Sequence, residues 1–516
     1  MQEQITSNPN MVIGLQVDHT TAGNYAQFGS LCIQFVDADF NLRSVSTGTF
    51  PYEGKHTGDA LYDSCEGAKG LVKEWKMDRF TRVYTTDSYT GNKKGFGNKP
   101  NIYWVPCLAH QFHNTVKAGL DKCVPVNLLH SKMKRILEFC HKSPLHLRLI
   151  KGNAKWLGVP ELTVLSECPT RWNSFMLCCE RFILIKEPLN VTLHDADKKD
   201  LILTPGDILL MKEIVEELQT FRDLTVRLSS NTHFTFNEYL PMVAGIKRQL
   251  SRELNPAFTS INMTDFIKQM KIHFDNFELQ PKVKKLAWTA CLLDPININM
   301  FEKTDVPNLV TNVVELIALF ATTPPESQDT VEPSQPPVNV TVNIPKSDKS
   351  KKNVSGLSKY FDQQQEWAQP QMAAEVVRPD SKSVKDTVVL EVNNLRTQFK
   401  ATSNELFESL REGSYDCATW WKTNHKQYPT LATVVKNLFC IPATSANCER
   451  AFSTLTDVVT KKRNRLHAET TRKLTFLKHN LQYMPQYTTY SEEEETETPT
   501  GNDKEFEDYE MEQWDE

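Results

Sequence analysis

Two aspartates stand where short apolar runs give out. Met11 to Val17 (MVIGLQV) runs into Asp18, and Arg82 to Thr86 (RVYTT) runs into Asp87, 69 residues further on. A strand followed by a carboxylate is the local reading of both. If the two strands are neighbours, their carboxylates repel, and both stay ionised only with a divalent cation between them. Oxygen ligands with open positions suit Mg²⁺ or Mn²⁺. Metals held in this way activate a water and stabilise the leaving oxygen of a phosphodiester. An aspartate at a strand end is also an ordinary turn or capping residue, so neither one alone specifies this chemistry.

Three further places bear chemistry. Pro106 to Leu120 (PCLAHQFHNTVKAGL) sets Cys107, His110 and His113 at zinc-like spacing. No second pair of ligands with finger spacing lies nearby, so the expectation is local packing and hydrogen bonding and not zinc. Cys168 to Arg181 (CPTRWNSFMLCCER) puts Arg171 beside Trp172. That pair offers a phosphate contact and a stacking surface worth about 1 to 3 kcal/mol per base. The alternative is a buried Trp with a surface Arg. In Ile441 to Leu481, Cys448, Phe452, Leu455 and Val459 follow helical spacing, with Glu449 and Arg450 beside their stripe. A carboxylate there borders a core, and its plainer reading is a helix-flank Glu paired with Arg450. Pro442 and Thr444/Ser445 supply a helix start. The run TKKRNRL from Thr460 to Leu466 then interrupts with four cations, and a second helix carries Leu474, Leu477 and Leu481.

Strands are expected at Met11 to Val17, Ser30 to Val36 and Arg43 to Phe50, with a polar turn from Asp37 to Asn41. A helix over about Thr57 to Trp75 follows, then the strand Arg82 to Thr86, and Ile102 to Val105 before the helix with Cys107 and His110. Three meandering strands, a helix, a strand and a strand-helix unit is the order of an RNase H-like α/β fold, whose first and fourth strands are neighbours. From about Leu201 to Phe320 the pattern is helical. Thr204-Pro205 with Asp207 reads as a capping box before the stripe Leu210, Ile214, Leu218, Phe221, Leu224 and Leu228. The expected division is a first part of the core over 10–190, a helical insertion over 191–404, a C-terminal region over 405–484 that completes the core, and an acidic disordered tail over 485–516. Within the insertion the Pro-rich, polar stretch of about 322–385 is expected to be a disordered loop.

The whole-chain net charge of −5 conceals an asymmetry. Residues 491–516 carry thirteen acidic groups and one Lys, a net −12, which leaves +7 on the rest and suits a nucleic-acid partner. Twelve scattered Cys without a dense framework point to reduced thiols in the cytosol or nucleus. No apolar run approaches the roughly 18 residues a membrane span needs, and no membrane partner is expected.

The stretch IPATSANCERAFSTLTDVVTKKRNRLHAETTRKLTFLKHNL closely resembles the C-terminal dimerisation region of hAT-superfamily transposases and the host proteins derived from them. That family shows a block of the form PATSAxxERxFSxxGxxxTxKRxxLxxxxxxxLxFLxxN; here Thr456 replaces its Gly and His467 a capping Ser. TTDSYTGN around Asp87 resembles the family's TTDNxxN, Cys107 and His110 match CxAHxxNL, and Thr170 to Ser174 match TRWNS. Leu292 to Pro295 match LLDP, and Trp420-Trp421 resemble the family's entry to the dimerisation region. At Asp18 the text DHTT lacks the family's following Trp.

The resemblance implies a catalytic and metal-binding triad of Asp18, Asp87 and Glu449 working with Mg²⁺ or Mn²⁺. It gives Cys107 and His110 a supporting place beside the triad, and Arg171 and Trp172 a grip on a flipped base. It implies self-association, with Trp420, Trp421, Phe452, Leu474, Leu477 and Leu481 expected in the dimerisation region. The function expected is a nuclear, DNA-binding transposase that cleaves and joins DNA. The alternative is a transposase-derived nuclear protein that dimerises without strand transfer, favoured by an N-terminus with no BED-type zinc finger ahead of Met11, by the missing Trp companion of Asp18 and by the acidic tail.

Overall fold

Strand β1 (Val12–Thr21) is the middle of a five-stranded mixed sheet of order β3-β2-β1-β4-β5. Its partners are β2 (Gln27–Val36) and β4 (Thr81–Thr86), with β3 (Leu42–Pro51) and β5 (Ile102–Pro106) outermost. The three meandering strands pair antiparallel, and β4 runs parallel to both β1 and β5. A central strand is covered on both faces, which is why VIGLQV reads as a nearly unbroken apolar run. The computed structural model describes residues 12–21, 27–51, 57–78, 80–88, 90–97, 99, 102–166, 172–253, 260–300, 305–320, 384–412, 415–459 and 466–481. The expected acidic tail, the cationic run 460–465 and Arg171 lie outside them. So does the expected loop of 322–385, except its last two residues, which already belong to a helix.

Side chains alternate across the sheet. Ile13, Leu15 and Val17 face one core with Leu31, Ile33, Tyr84 and Trp104, closed by α1 (Gly58–Glu66) and α2 (Leu71–Glu74). The sequence suggested one helix over 57–75. Gly67 and Gly70 divide it, the first by receiving the chain at the end of α1, where its N–H donates to Asp63 O at 2.8 Å. A short helix without a sequence signal of its own, α3 (Thr90–Gly97), packs its glycines against α1, where a Cβ on Gly58 or Gly95 would collide with the facing backbone.

The other face bears on a large helical body that begins with α4 (Leu108–Lys122), α5 (Val124–His141) and α6 (Pro144–Leu157). It continues through α7 (Trp172–Leu184), α8 (Lys186–Asp195), α9 (Pro205–Leu228), α10 (Tyr239–Ser251), α11 (Ile261–Asp275), α12 (Pro281–Leu292) and α13 (Asp305–Phe320). The capping box at the head of α9 is present, Thr204 Oγ1 accepting from Asp207 N at 3.1 Å and Asp207 Oδ2 accepting from Thr204 N at 2.8 Å. The predicted stripe of α9 is buried throughout.

The chain returns to the sheet through α14 (Val384–Arg411), α15 (Cys417–Asn424) and α16 (Pro429–Phe439). Glu391 on α14 accepts from the first amides of α16, Thr430 N at 3.1 Å and Leu431 N at 2.8 Å, a carboxylate satisfying an otherwise orphaned helix start. Trp421 is fully enclosed, its Nε1 donating to Leu293 O at 3.0 Å and its ring stacked on Phe40, while Trp420 packs on Phe399. Both indoles therefore build the interior of one chain and are not on offer to a second copy. The last two helices, α17 (Ala446–Val458) and α18 (Ala468–Asn480), lie over the sheet, α18 against the edge strand β3.

Candidate metal centre

The even-numbered residues of β1 form a row on the face that meets the C-terminal segment. Val12 N donates to Asn437 Oδ1 at 3.0 Å. Gly14 lies under the backbone of Cys440 and Pro442, so close that a Cβ there would sit 2.5 Å from Pro442 Cδ. Gln16 Oε1 accepts from Asn447 N at 2.9 Å. Asp18, next in the row, meets Glu449. A period of two along the strand thus tracks the approach of a segment over four hundred residues downstream, and brings the two carboxylates to one place.

Asp18, Glu449 and His110 have ligand atoms that all lie within 4.8 Å of one another. Glu449 is in the first turn of α17, and His110 in the first turn of α4. Asp18 accepts from the His19 amide at 2.8 Å. Asp87 stands just outside this group, directly after β4. The β1/β4 register pairs Gln16 with Thr85, and carried two places on it sets Asp87 opposite Asp18. Asn92 Nδ2 in α3 donates to Asp87 Oδ1, and this holds the carboxylate. The strand β1 does not end at Asp18, as the sequence suggested; it continues to Thr21, paired with β2 alone, because the β-branched Thr20 and Thr21 extend the antiparallel ladder beyond the end of β4.

His110 is held from behind. Its Nδ1 is 3.2 Å from Cys107 Sγ and 3.4 Å from Ser445 Oγ. Ser445, within the expected helix start, is at the capping position of α17 but makes no side-chain cap bond; its hydroxyl is turned to the imidazole instead, and its N–H donates to Cys107 Sγ at 3.3 Å. The segment carrying it is tied to the sheet, with Thr85 Oγ1 donating to Pro442 O at 2.7 Å and Leu108 N to Ala443 O at 3.0 Å. Asn447 is a junction that no sequence pattern pointed to. Besides its bond with Gln16 it donates to Ser44 Oγ at 2.8 Å and accepts from Arg450 Nη1 at 2.5 Å. Arg450 also donates to Ser229 O at 2.5 Å, at the end of α9, so its guanidinium is spent on positioning α17.

Burial pushes the Asp18 carboxyl up to about 7; the charges of Asp87 and Glu449 push the same way, and the His110 ring opposes them. Burial works against the His110 proton, but Cys107, Asp18 and Glu449 outweigh it and hold that imidazole well above its ordinary value. The donor set fits a divalent cation, since carboxylates crowded in a partly dry place need positive charge, and an added imidazole suits Mn²⁺ better than Mg²⁺. Protons on Asp18 and His110 must leave when a cation binds. Mn²⁺ should therefore bind about tenfold or more tightly at pH 8 than at pH 6, the Asp18 proton alone accounting for that factor. Isothermal titration at the two pH values measures this, and a pH-independent affinity would exclude Asp18 as a ligand.

The remaining expected residues fall elsewhere. Trp172 is only 5 % exposed and packs edge-on against Phe221, so its ring presents no face to a base. Its expected stacking role is withdrawn, since the aromatic core of α7 and α9 takes it up. Phe452 is half-buried. Leu474, Leu477 and Leu481 are 39 %, 44 % and 39 % exposed along the outer side of α18, whose inner side gives Thr475 and Asn480 to β3.

Residues 398–481 match the hAT family C-terminal dimerisation region. The chain is similar to the Zea mays AC transposase, 23 % identical over 491 residues that cover 88 % of this chain and 54 % of that protein. A second Zea mays relative, the AC9 transposase, is 22 % identical over 515 residues, 88 % of this chain and 55 % of that protein. Human zinc finger BED domain-containing protein 4 is 20 % identical over 380 residues, 73 % of this chain and 29 % of that protein. The chain spans about half the length of the transposases it matches. Among the described residues no helix is long and apolar enough to cross a membrane. The chain thus carries an hAT family C-terminal dimerisation region and is similar to the AC transposases, of the hAT superfamily, through most of its length.

Proposed function

We propose that this chain is the catalytic and self-associating body of a DNA transposase that cuts and joins DNA in the nucleus with a divalent metal. The observation that carries this reading is the meeting of Asp18 and Glu449, from the two ends of the described chain, with His110 between them. A buried scaffold does not need to gather carboxylates, and their mutual repulsion is a cost that a bound cation removes. The strand order β3-β2-β1-β4-β5, antiparallel on one side of β1 and parallel on the other, supports an RNase H-like core for it. Asp18, Asp87 and Glu449 would hold Mg²⁺ or Mn²⁺, which when bound supplies charge for the attacking and leaving oxygens of a phosphodiester. The chain's own part is position: Asn92 orients Asp87, Asn447 and Arg450 fix α17, and Cys107 with Ser445 holds the His110 ring. The retained carboxylates favour this reading over a transposase-derived protein that has lost catalysis.

Self-association is assigned to the outer face of α18. Leu474, Leu477 and Leu481 repeat at intervals of three and four, the seam spacing of paired helices. Light scattering and a Mn²⁺-dependent nicking assay on one preparation, with a DNA hairpin or terminal-repeat substrate, test the two halves together. Wild-type protein should be a dimer or larger and should nick. Leu474→Asp with Leu477→Asp should give a folded monomer; an unchanged mass for that double variant would remove α18 as the interface, and a wild type that never nicks would remove the catalytic half.

A further inference from the structure

Helix α6 carries an exposed aromatic beside a row of cations. Trp156 is 79 % exposed, far more than a core or packing indole. Leu145, Leu149 and Gly152 share its stripe at helical spacing, with Leu145 and Leu149 52 % and 43 % exposed, and a Cβ on Gly152 would touch nothing within 4 Å. The result is a flat, open strip ending in an indole. Along the next face of the helix run Arg148, Lys151 and Lys155, all exposed and spaced i, i+3 and i+7. α6 contains no acidic residue. The helix is anchored by its opposite side, through Ile150 and Ala154, through Asn153 Nδ2 donating to Thr192 Oγ1 at 3.0 Å, and through His146 stacked on Phe139. The acids of the neighbouring α8 are engaged locally, Glu187 with Lys186 at 3.0 Å and Asp195 with His194 at 3.6 Å. Among the described residues no ion pair reaches the three cations of α6.

We propose that α6 is a DNA-contacting surface, its cations lying along a phosphate backbone and Trp156 stacking on an unpaired base. Charge complementarity selects the partner: three cations that no ion pair reaches among the described residues call for a polyanion. The cations span seven residues, about 10 Å of helix axis, or roughly three phosphate steps of one strand. The open indole selects single-stranded or splayed DNA over continuous duplex, because a base can stack only once it has left the duplex. This surface rests on the reading of the chain as a DNA-acting protein. It takes over the stacking task that the sequence suggested for Trp172, with an indole that solvent can reach.

The test is fluorescence anisotropy of the full chain in EDTA with a labelled single-stranded oligonucleotide and with its duplex. Trp156→Ala should weaken single-strand binding on the order of tenfold, with the salt dependence unaltered, and Trp156→Phe should restore most of it. Replacing Arg148, Lys151 and Lys155 together by Gln should lower the slope of log affinity against log salt by about 2 on the single strand. If the wild type binds DNA and all variants bind equally well, the assignment of α6 fails while the DNA-acting reading stands. If the wild type binds no DNA, both fail. Loss of affinity in Trp156→Phe as large as in Trp156→Ala overturns stacking, and a variant that turns a dimer into a monomer in light scattering identifies α6 as a contact between copies instead.

Discussion

Glu449→Gln should abolish Mn²⁺-dependent nicking, by a hundredfold at the least, while leaving the fold intact. Gln keeps the volume and the helix preference of Glu, and no bond that positions α17 runs through this side chain: those run through Ser445, Asn447 and Arg450. What is lost is a negative charge and a ligand oxygen at the point where Asp18 and His110 converge. A metal site stripped of one carboxylate loses affinity as well as the charge balance that phosphoryl transfer depends on. The same substitution relieves repulsion on the Asp18 carboxylate and removes a charge that supports the His110 proton, two opposed effects, so metal-free protein should melt close to wild type. The stabilisation that Mn²⁺ gives to wild-type protein should be missing from the variant. Nicking that survives Glu449→Gln at wild-type rate would end the catalytic proposal for this triad.

Gly14→Ala should damage both the fold and the site with a single methyl. The added Cβ would fall inside any real contact distance from Cys440 O and 2.5 Å from Pro442 Cδ. Neither side can give way cheaply. β1 is locked between two strands, and the 440–442 turn is held by Cys440 Sγ donating to Val12 O at 3.3 Å and by Thr85 on Pro442. Overpacking of this kind costs about 1 to 3 kcal/mol, and more where backbone must move. The displacement would be passed along the row to Gln16 and Asp18, so nicking should fall further than the loss of stability alone accounts for. Gly152→Ala is the control, because its Cβ meets nothing and a helix-interior glycine gains about 0.5 to 1 kcal/mol on becoming Ala. Thermal melts of the two variants should move in opposite directions; a Gly14→Ala protein as stable and active as wild type would refute the close approach.

The sheet was legible in the sequence because its central strands are buried on both faces and so read as apolar runs, and α9 because its capping box and stripe are local signals. Asp18 was misplaced at a strand end for a local reason. The residues after it are polar, yet they pair with β2 on one side only, and polarity cannot distinguish a half-paired strand from a turn. Helix α3 was missed because TGNKKGFG has poor helix propensity; it forms where its glycines let it lie against Gly58. Trp172 and Trp156 show the limit most plainly. Each is a Trp close to a cation in the sequence; the packing of α7 against α9 encloses the first, and the anchoring of α6 through its opposite side leaves the second open. The supporting roles of Asn447, Gln16 and Ser445 were invisible because the bonds that tie them to the sheet and to α4 join residues hundreds of positions apart.

That separation bears on the order in which the protein is made. Gln16 and Asn447 are 431 residues apart, and Asp18 lies at a similar remove from Glu449. During synthesis the N-terminal strands emerge first, with the row that ends in Asp18 uncovered, and they wait for the whole helical body before their partner segment leaves the ribosome. Such distant closure is slow and leaves exposed surface meanwhile. On the proposed function it would also be a safeguard. A product terminated between residues 87 and 449 would carry Asp18 and Asp87 without Glu449 and without α18, and so would lack both the proposed cutting site and the proposed contact with a complete partner.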